Sequence, residues 1–293
     1  MSQRPLWYVE SRMKISFGLI GRPSVRRTLW RFGRGLYRLA RGDGDNNIAT
    51  NGETYVQSVA CRHASPGNNC ILDVGANVGE WTEQLIKNPM FTSQIVAHAF
   101  EPVPATRALL LARIKHPQVS VHPMALSDRD GETQMSTYGM DRSGVNSLLT
   151  AANEPGTTTV DVALCRMDTF AKERNIREIL LAKCDAEGHD LFVIRGARGL
   201  LEEGKIALLQ FEYNSRWVYA GAHLRDVFVE VKGLPYVVAK VLSDRIEIYP
   251  EWHFELEHYF EGNYLLVRSD AISWFSAHTC MFDSSNRPLI AKA

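Results

Sequence analysis

Residues 70–82 read "CILDVGANVGEWT", an apolar run that breaks into glycines and resumes as helix-forming sequence. Cys70 to Val74 has the length and apolarity of a buried strand, and Glu80 to Lys87 that of a helix. Between them Gly75 and Gly79 bracket Ala76, Asn77 and Val78, where glycine permits positive φ and a close backbone approach to a ligand. The turn lacks two phosphate-binding patterns. A dinucleotide fingerprint places glycine two residues after Gly75, where this chain has Asn77, and no G-K-[ST] follows for a Walker loop. Ile95 to Phe100 is the next apolar run, and Pro104 to Lys115 the next helical one. The alternation implies right-handed βαβ units and a parallel sheet with ligands at the carboxyl ends of its strands. Glu101 closes the second strand in "AHAFEP", where a carboxylate can accept hydrogen bonds from both hydroxyls of a ribose. A nucleoside without a pyrophosphate fits this pair of features better than NAD does.

The chain has 293 residues, 45% hydrophobic and 23% charged, enough for a large core and without the bias of a disordered protein. Its formal charge of zero hides an asymmetry: residues 1 to 41 carry ten Arg or Lys against Glu10 alone. Five cysteines without C-x-x-C spacing argue against a zinc site and a disulfide framework, and fit a reducing cytoplasm. No apolar run is long enough to span a bilayer, and Ile15 to Ile20 is too short and interrupted for a signal peptide. The expected division is a basic helical arm over 1–47, a catalytic domain over 48–270 and a peripheral tail over 271–293.

Within the arm, Val25, Leu29, Phe32, Leu36 and Leu39 recur at helical spacing while arginines fill other faces. Two readings stay open: the apolar stripe packs on the following domain or a twin subunit, or the helix lies on an anionic membrane with Trp30 and Tyr37 at the interface. Nucleic acid is not an expected partner, since base-stacking motifs are absent.

Ile179 to Ala182 reads as a buried strand, followed by Lys183, Asp185, Glu187, Gly188, His189 and Asp190 before a helix begins. "IALLQFEY" is a further buried strand, with Glu212 near its end. This is too much charge for a mere turn, and it marks a candidate site where a carboxylate or a histidine could remove a proton. His189 or Asp185 is the preferred base, with Glu187 and Glu212 orienting substrate or, together with Asp185, holding a divalent cation such as Mg2+. The bland alternatives are a helix cap at Asp185, pairing of Glu187 with Lys183 or Arg195, a solvated His189 and a structural acceptor at Glu212. Tyr213 and Trp217 are candidate walls for a sugar, although core packing explains most of the aromatic residues in this region. Val237 to Ile248 suggests a hairpin and "NYLLVRS" a last strand.

In this order, "DVGANVGEWT", "FEPVPATRALL", "ALSDRDG", "NSLL", "MDTF", "KCDAEGHDLFVIRGA" and "LLQFEY" resemble the FkbM family of S-adenosylmethionine-dependent methyltransferases over roughly residues 50 to 270. The resemblance implies a class I, Rossmann-like α/β fold with a seven-stranded, mostly parallel sheet flanked by helices, and usually methylation of a hydroxyl on a sugar or polyketide. The leading expectation is O-methylation of a hydroxyl on a sugar, glycan or glycosylated natural product. The resemblance also implies that Asp73, Gly75, Asn77 and Gly79 surround the methionine part of S-adenosylmethionine. If the strand at 179–182 follows the cofactor's strand in a doubly wound sheet, Asp185 and Glu187 arrive beside the transferable methyl group. Glu101 then holds the ribose, and Ala125, Leu126 and Ser127 pass the adenine. His122 and Pro123 depart from the family pattern there. The expected acceptor is a small molecule or a lipid-linked glycan at the cytoplasmic membrane face, and a homo-oligomer stays open. The rivals are N- or carboxyl-methylation, a non-catalytic nucleoside-binding protein of the same fold, and an NAD-dependent oxidoreductase, which Asn77 disfavours.

Overall fold

The computed structural model describes residues 22–43, 47–137, 148 and 158–293. The chain forms two compact units, divided between residues 43 and 44. In the first, Pro23–Ala40 is one helix, begun by a proline whose fixed φ suits its first turn. None of its residues is buried.

The second unit is built on strands β1 (Cys70–Val74), β2 (Val96–Phe100), β3 (Val119–His122), β4 (Met124–Ser127), β5 (Gly131–Thr137), β6 (Thr158–Arg166) and β7 (Ile179–Cys184). After these come β8 (Ile206–Tyr213), β9 (Tyr236–Val241), β10 (Ile246–Tyr249), β11 (Gly262–Arg268), β12 (Ala277–Phe282) and β13 (Pro288–Lys292). The main sheet runs β13-β12-β10-β9-β11-β8-β7-β1-β2-β3. Strands β3, β2, β1, β7 and β8 are mutually parallel, and β11 enters antiparallel between β8 and β9. The sheet therefore has ten strands where seven were expected. The first seven, from β3 to β9, form the doubly wound part, and β10, β12 and β13 extend the far edge. β12 and β13 arise from residues 271–293, where the sequence has no alternating pattern; every residue of β13 is exposed. A separate three-stranded sheet, β4-β6-β5, was also unforeseen.

Burial on both faces explains why the central strands are continuous apolar runs: β1 and β7 are buried throughout. Successive side chains point to opposite faces, so two cores form. Leu72, Ala182, Leu209 and Phe211 pack with the helices Met167–Glu173, Asp190–Gly196 and Arg198–Glu202. Ile71, Leu181 and Leu208 pack against Val56, Val59 and Ala60 of helix Glu53–Arg62 and against Trp81 and Leu85 of helix Glu80–Lys87. The chain leaves β1 towards β2 on one side and later returns to β7 on the other. That reversal opens a crevice past the carboxyl end of β1.

Candidate active site

At that crevice the turn after β1 meets the turn after β7. Gly75 sits at φ 76°, and a Cβ there would collide with the carbonyl oxygen of Asp185. The Asp185 amide donates to the Val74 carbonyl at 3.0 Å, tying the two turns together. Gly79, at φ 88°, starts the next helix and packs closely on Leu110 instead of facing the crevice. The cleft is open to solvent and includes Gly75, Asn77, Glu101, Leu126, Asp185, Glu187 and His189 in its wall.

Glu101 is buried in this wall. Its Oε2 accepts from the Asn77 amide at 3.0 Å and its Oε1 from the Val103 amide at 2.8 Å. Burial nevertheless pushes its carboxyl up to about 7, against the two amides and Arg107. Each oxygen keeps acceptor capacity for a further donor. Asn77 occupies the left-handed region at φ 48°, and its Oδ1 is buried without a partner.

Asp73 lies behind the wall. It is buried, accepts from Thr82 Oγ1 at 2.5 Å, and pairs at 3.3 Å with Lys183 Nζ, its register neighbour on β7. Lys183 also reaches Asp185 at 3.4 Å. Burial opposes the ammonium charge, but Asp73, Asp185 and Glu53 outweigh it and hold the lysine above its ordinary range. Asp73 therefore anchors Lys183, and Lys183 fixes Asp185 at the cleft.

Three carboxylates converge at the ends of β7 and β8: Asp185, Glu187 and Glu212 each offer an oxygen within 4.8 Å of the others. Glu187 holds a left-handed backbone at φ 55° and pairs with Arg216, not with Lys183 or Arg195. A non-glycine residue in that region carries strain of a kind found at functional sites. Asp190, rather than Asp185, organises the turn by accepting from the amides of Ala186 at 3.4 Å and Gly188 at 3.2 Å. Burial moves the Asp190 carboxyl up to about 7. Glu212 accepts from Asn214 Nδ2 at 2.6 Å. Burial first, then Asp185, Asp190 and Glu261, raises its carboxyl well above the usual range, so it tends to keep its proton.

His189 does not join the three carboxylates. Its Nε2 lies 2.9 Å from Ser127 Oγ, and its ring stacks on Phe192. Burial lowers the imidazole to about 4, so the ring is neutral. Ser127 Oγ donates to Asp128 at 3.1 Å and therefore accepts from Nε2–H. His189 Nδ1 is left as a buried acceptor without a partner.

The methyltransferase FkbM domain matches residues 73–256, well over half of the chain. The chain belongs to the FkbM methyltransferase family. It is accordingly an S-adenosylmethionine-dependent methyltransferase. No curated protein matches the sequence. Among solved structures, the METTL16 MTase domain is 12% identical, covering 73% of this chain and 65% of that one at a TM-score of 0.42. Precorrin-6y C5,15-methyltransferase from Geobacter metallireducens GS-15 is 10% identical, with 74% and 87% covered and a TM-score of 0.37. Aeropyrum pernix fibrillarin, solved with natively bound S-adenosyl-L-methionine, is 14% identical over 73% and 74%, at 0.34.

Of the residues singled out from sequence, this FkbM methyltransferase brings Gly75, Asn77, Glu101, Asp185, Glu187 and His189 to one cleft. Ala125 and Leu126 join them, while Ser127 stands behind His189. Asp73 and Gly79 support the cleft without lining it. Tyr213 and Trp217 do not line this cleft. Both are buried in the core, with Tyr213 donating to Glu257 at 2.7 Å and Trp217 Nε1 to the Glu212 carbonyl at 2.8 Å. The departing His122 bonds His98 at 3.0 Å and packs against Phe100 and Phe170, away from the cleft wall. Asn146, Ser147 and Leu149 of "NSLL" lie outside the described residues. Sequence reasoning missed Lys183 as an anchor, Arg216 as the partner of Glu187, and Glu53 and Glu261 as contributors to the local field.

Proposed function

We propose that the cleft holds S-adenosylmethionine and that the protein transfers the cofactor's methyl group to a hydroxyl of a saccharide or glycosylated natural product. The unsatisfied groups suit the cofactor. Glu101 would accept the two ribose hydroxyls, Asn77 Oδ1 would take a donor from the same ligand, and His189 Nδ1 would accept from the adenine amine. His189 is thereby moved from base to cofactor binding, because a neutral, buried acceptor facing a cleft suits a nucleobase better than proton removal.

The observation that carries the reaction is the carboxylate cluster, which shares Asp185 and Glu187 with the cofactor cleft. S-adenosylmethionine supplies an electrophilic methyl group on a sulfonium. The acceptor oxygen forms the new C–O bond as the C–S bond breaks, and the hydroxyl proton passes to Asp185. Lys183 holds the Asp185 carboxylate in place. Glu212, kept protonated by burial and by its acidic neighbours, can donate to one sugar oxygen and orient the acceptor. The three carboxylates suit a divalent cation poorly. Lys183 and Arg216 already neutralise Asp185 and Glu187, and Glu212 resists losing its proton. No step is routed through a metal.

The test is methyl transfer from labelled S-adenosylmethionine to free sugars, glycosides and lipid-linked glycans. Asp185→Asn should lower turnover roughly 10²- to 10⁴-fold, the range of a lost general base, while product-nucleoside affinity stays within a few-fold. Full turnover in that variant, or methyl appearing only on amine or carboxyl acceptors, overturns the reading.

A further inference from the structure

The helix Pro23–Ala40 has sides of opposite character. At about 100° per residue, Val25, Leu29, Phe32, Leu36 and Leu39 share one stripe, and Arg27, Arg31, Arg34 and Arg38 occupy the other side. Tyr37 and Trp30 lie beyond Arg26, on the arginine side. The apolar stripe lies in the open: Leu29 is 49% exposed, Phe32 65%, Leu36 52% and Leu39 78%. The sequence of the helix contains no acidic residue to balance its arginines.

We propose that this helix lies along the surface of a bilayer containing anionic phospholipid. Its apolar stripe would enter the acyl boundary, Trp30 and Tyr37 would sit at headgroup level, and the arginines would face lipid phosphates. Charge complementarity selects this occupant. Every charge in the sequence of the helix is positive, which an anionic surface attracts. A nucleic acid could use the arginines but would leave five apolar side chains in water. Gly33 and Gly35 make the helix weak by itself, so burial of the stripe is what would hold it. No helix among the described residues is long and apolar enough to cross a membrane.

The experiment is sedimentation of the full chain with vesicles of phosphatidylcholine alone or mixed with phosphatidylglycerol. The wild type should partition at least tenfold more strongly onto the anionic vesicles, and added salt should weaken the difference. Phe32→Ser with Leu36→Ser should lower partitioning at least tenfold with every arginine retained. Arg27→Glu with Arg31→Glu should abolish the preference for anionic lipid. Trp30 emission, taken as the difference from Trp30→Phe, should shift to the blue on binding. Equal binding to both vesicle types, or none, overturns the proposal. Full binding by the Phe32→Ser/Leu36→Ser variant also overturns it, because the arginines would then act without insertion. A fall in solution mass in that variant, without a change in vesicle binding, would show that the stripe seats on a second copy of the chain instead.

Discussion

Cofactor affinity should fall as pH drops through 7, because Glu101 must be ionised to accept two hydroxyls. Its carboxyl moves from 4.5 to about 7 through burial, a bias of about 3 kcal/mol towards the protonated form at 1.36 kcal/mol per unit. With the folded value above the unfolded one, this site's contribution to stability is fully present below 4.5 and is lost as pH rises through 7. A ligand that donates to the carboxylate reverses the preference and binds the ionised form. Ionisation near 7 leaves only a few per cent of that form at pH 5.5, so affinity there should be roughly 30-fold below its plateau at pH 8. His189 stays neutral across this window, since it titrates near 4. Asp190 also titrates near 7, which makes Glu101→Gln the necessary comparison. Calorimetric titration with S-adenosylhomocysteine at several pH values supplies the assay. Glu101→Gln should bind weakly and without the slope. A variant that binds as tightly as wild type at pH 8, or keeps the same slope, refutes the reasoning and moves the titration to Asp190.

Other consequences are open to simpler measurements. Lys183→Met should lower stability by about 3–5 kcal/mol, the loss seen when one partner of a buried ion pair is removed, as a large drop in thermal midpoint; an unchanged midpoint would deny that Asp73 depends on Lys183. Gly75→Ala should cost about 1–3 kcal/mol from left-handed strain alone, and collision with the Asp185 carbonyl should also abolish cofactor binding in titration. A chelator should leave methyl transfer unchanged, and activity restored only by Mg2+ would give the carboxylate cluster a metal. Trp217→Ala should act mainly on stability, by about 3–5 kcal/mol for a buried aromatic, and a pure rise in acceptor KM would return it to the acceptor site.

Sequence reading succeeded where function coincides with strong local pattern. The strand and helix on either side of Gly75 came out at Cys70–Val74 and Glu80–Lys87, and β8 at Ile206–Tyr213. It failed where the cause is contact between distant residues. Nothing near Glu187 announces Arg216, and Lys183 meets Asp73 only because β1 and β7 pair in register. Strand β5, "GETQMST", is mostly exposed over its first residues, and β13 is exposed throughout, so neither shows buried alternation. Tyr213 and Trp217 show the limit of composition, since an aromatic residue after a strand can face a ligand or a core with equal ease. His189 has the chemistry of a base by type, and its burial, its bond to Ser127 and its separation from the three carboxylates become visible only in the fold.

The structure of the protein crystallised with S-adenosylhomocysteine tests the central claim most directly. The account predicts both ribose hydroxyls on the Glu101 carboxylate, the adenine beside His189, and the sulfur turned towards Asp185. A nucleoside bound with its diol on any other group, or outside the crevice after β1, would contradict it.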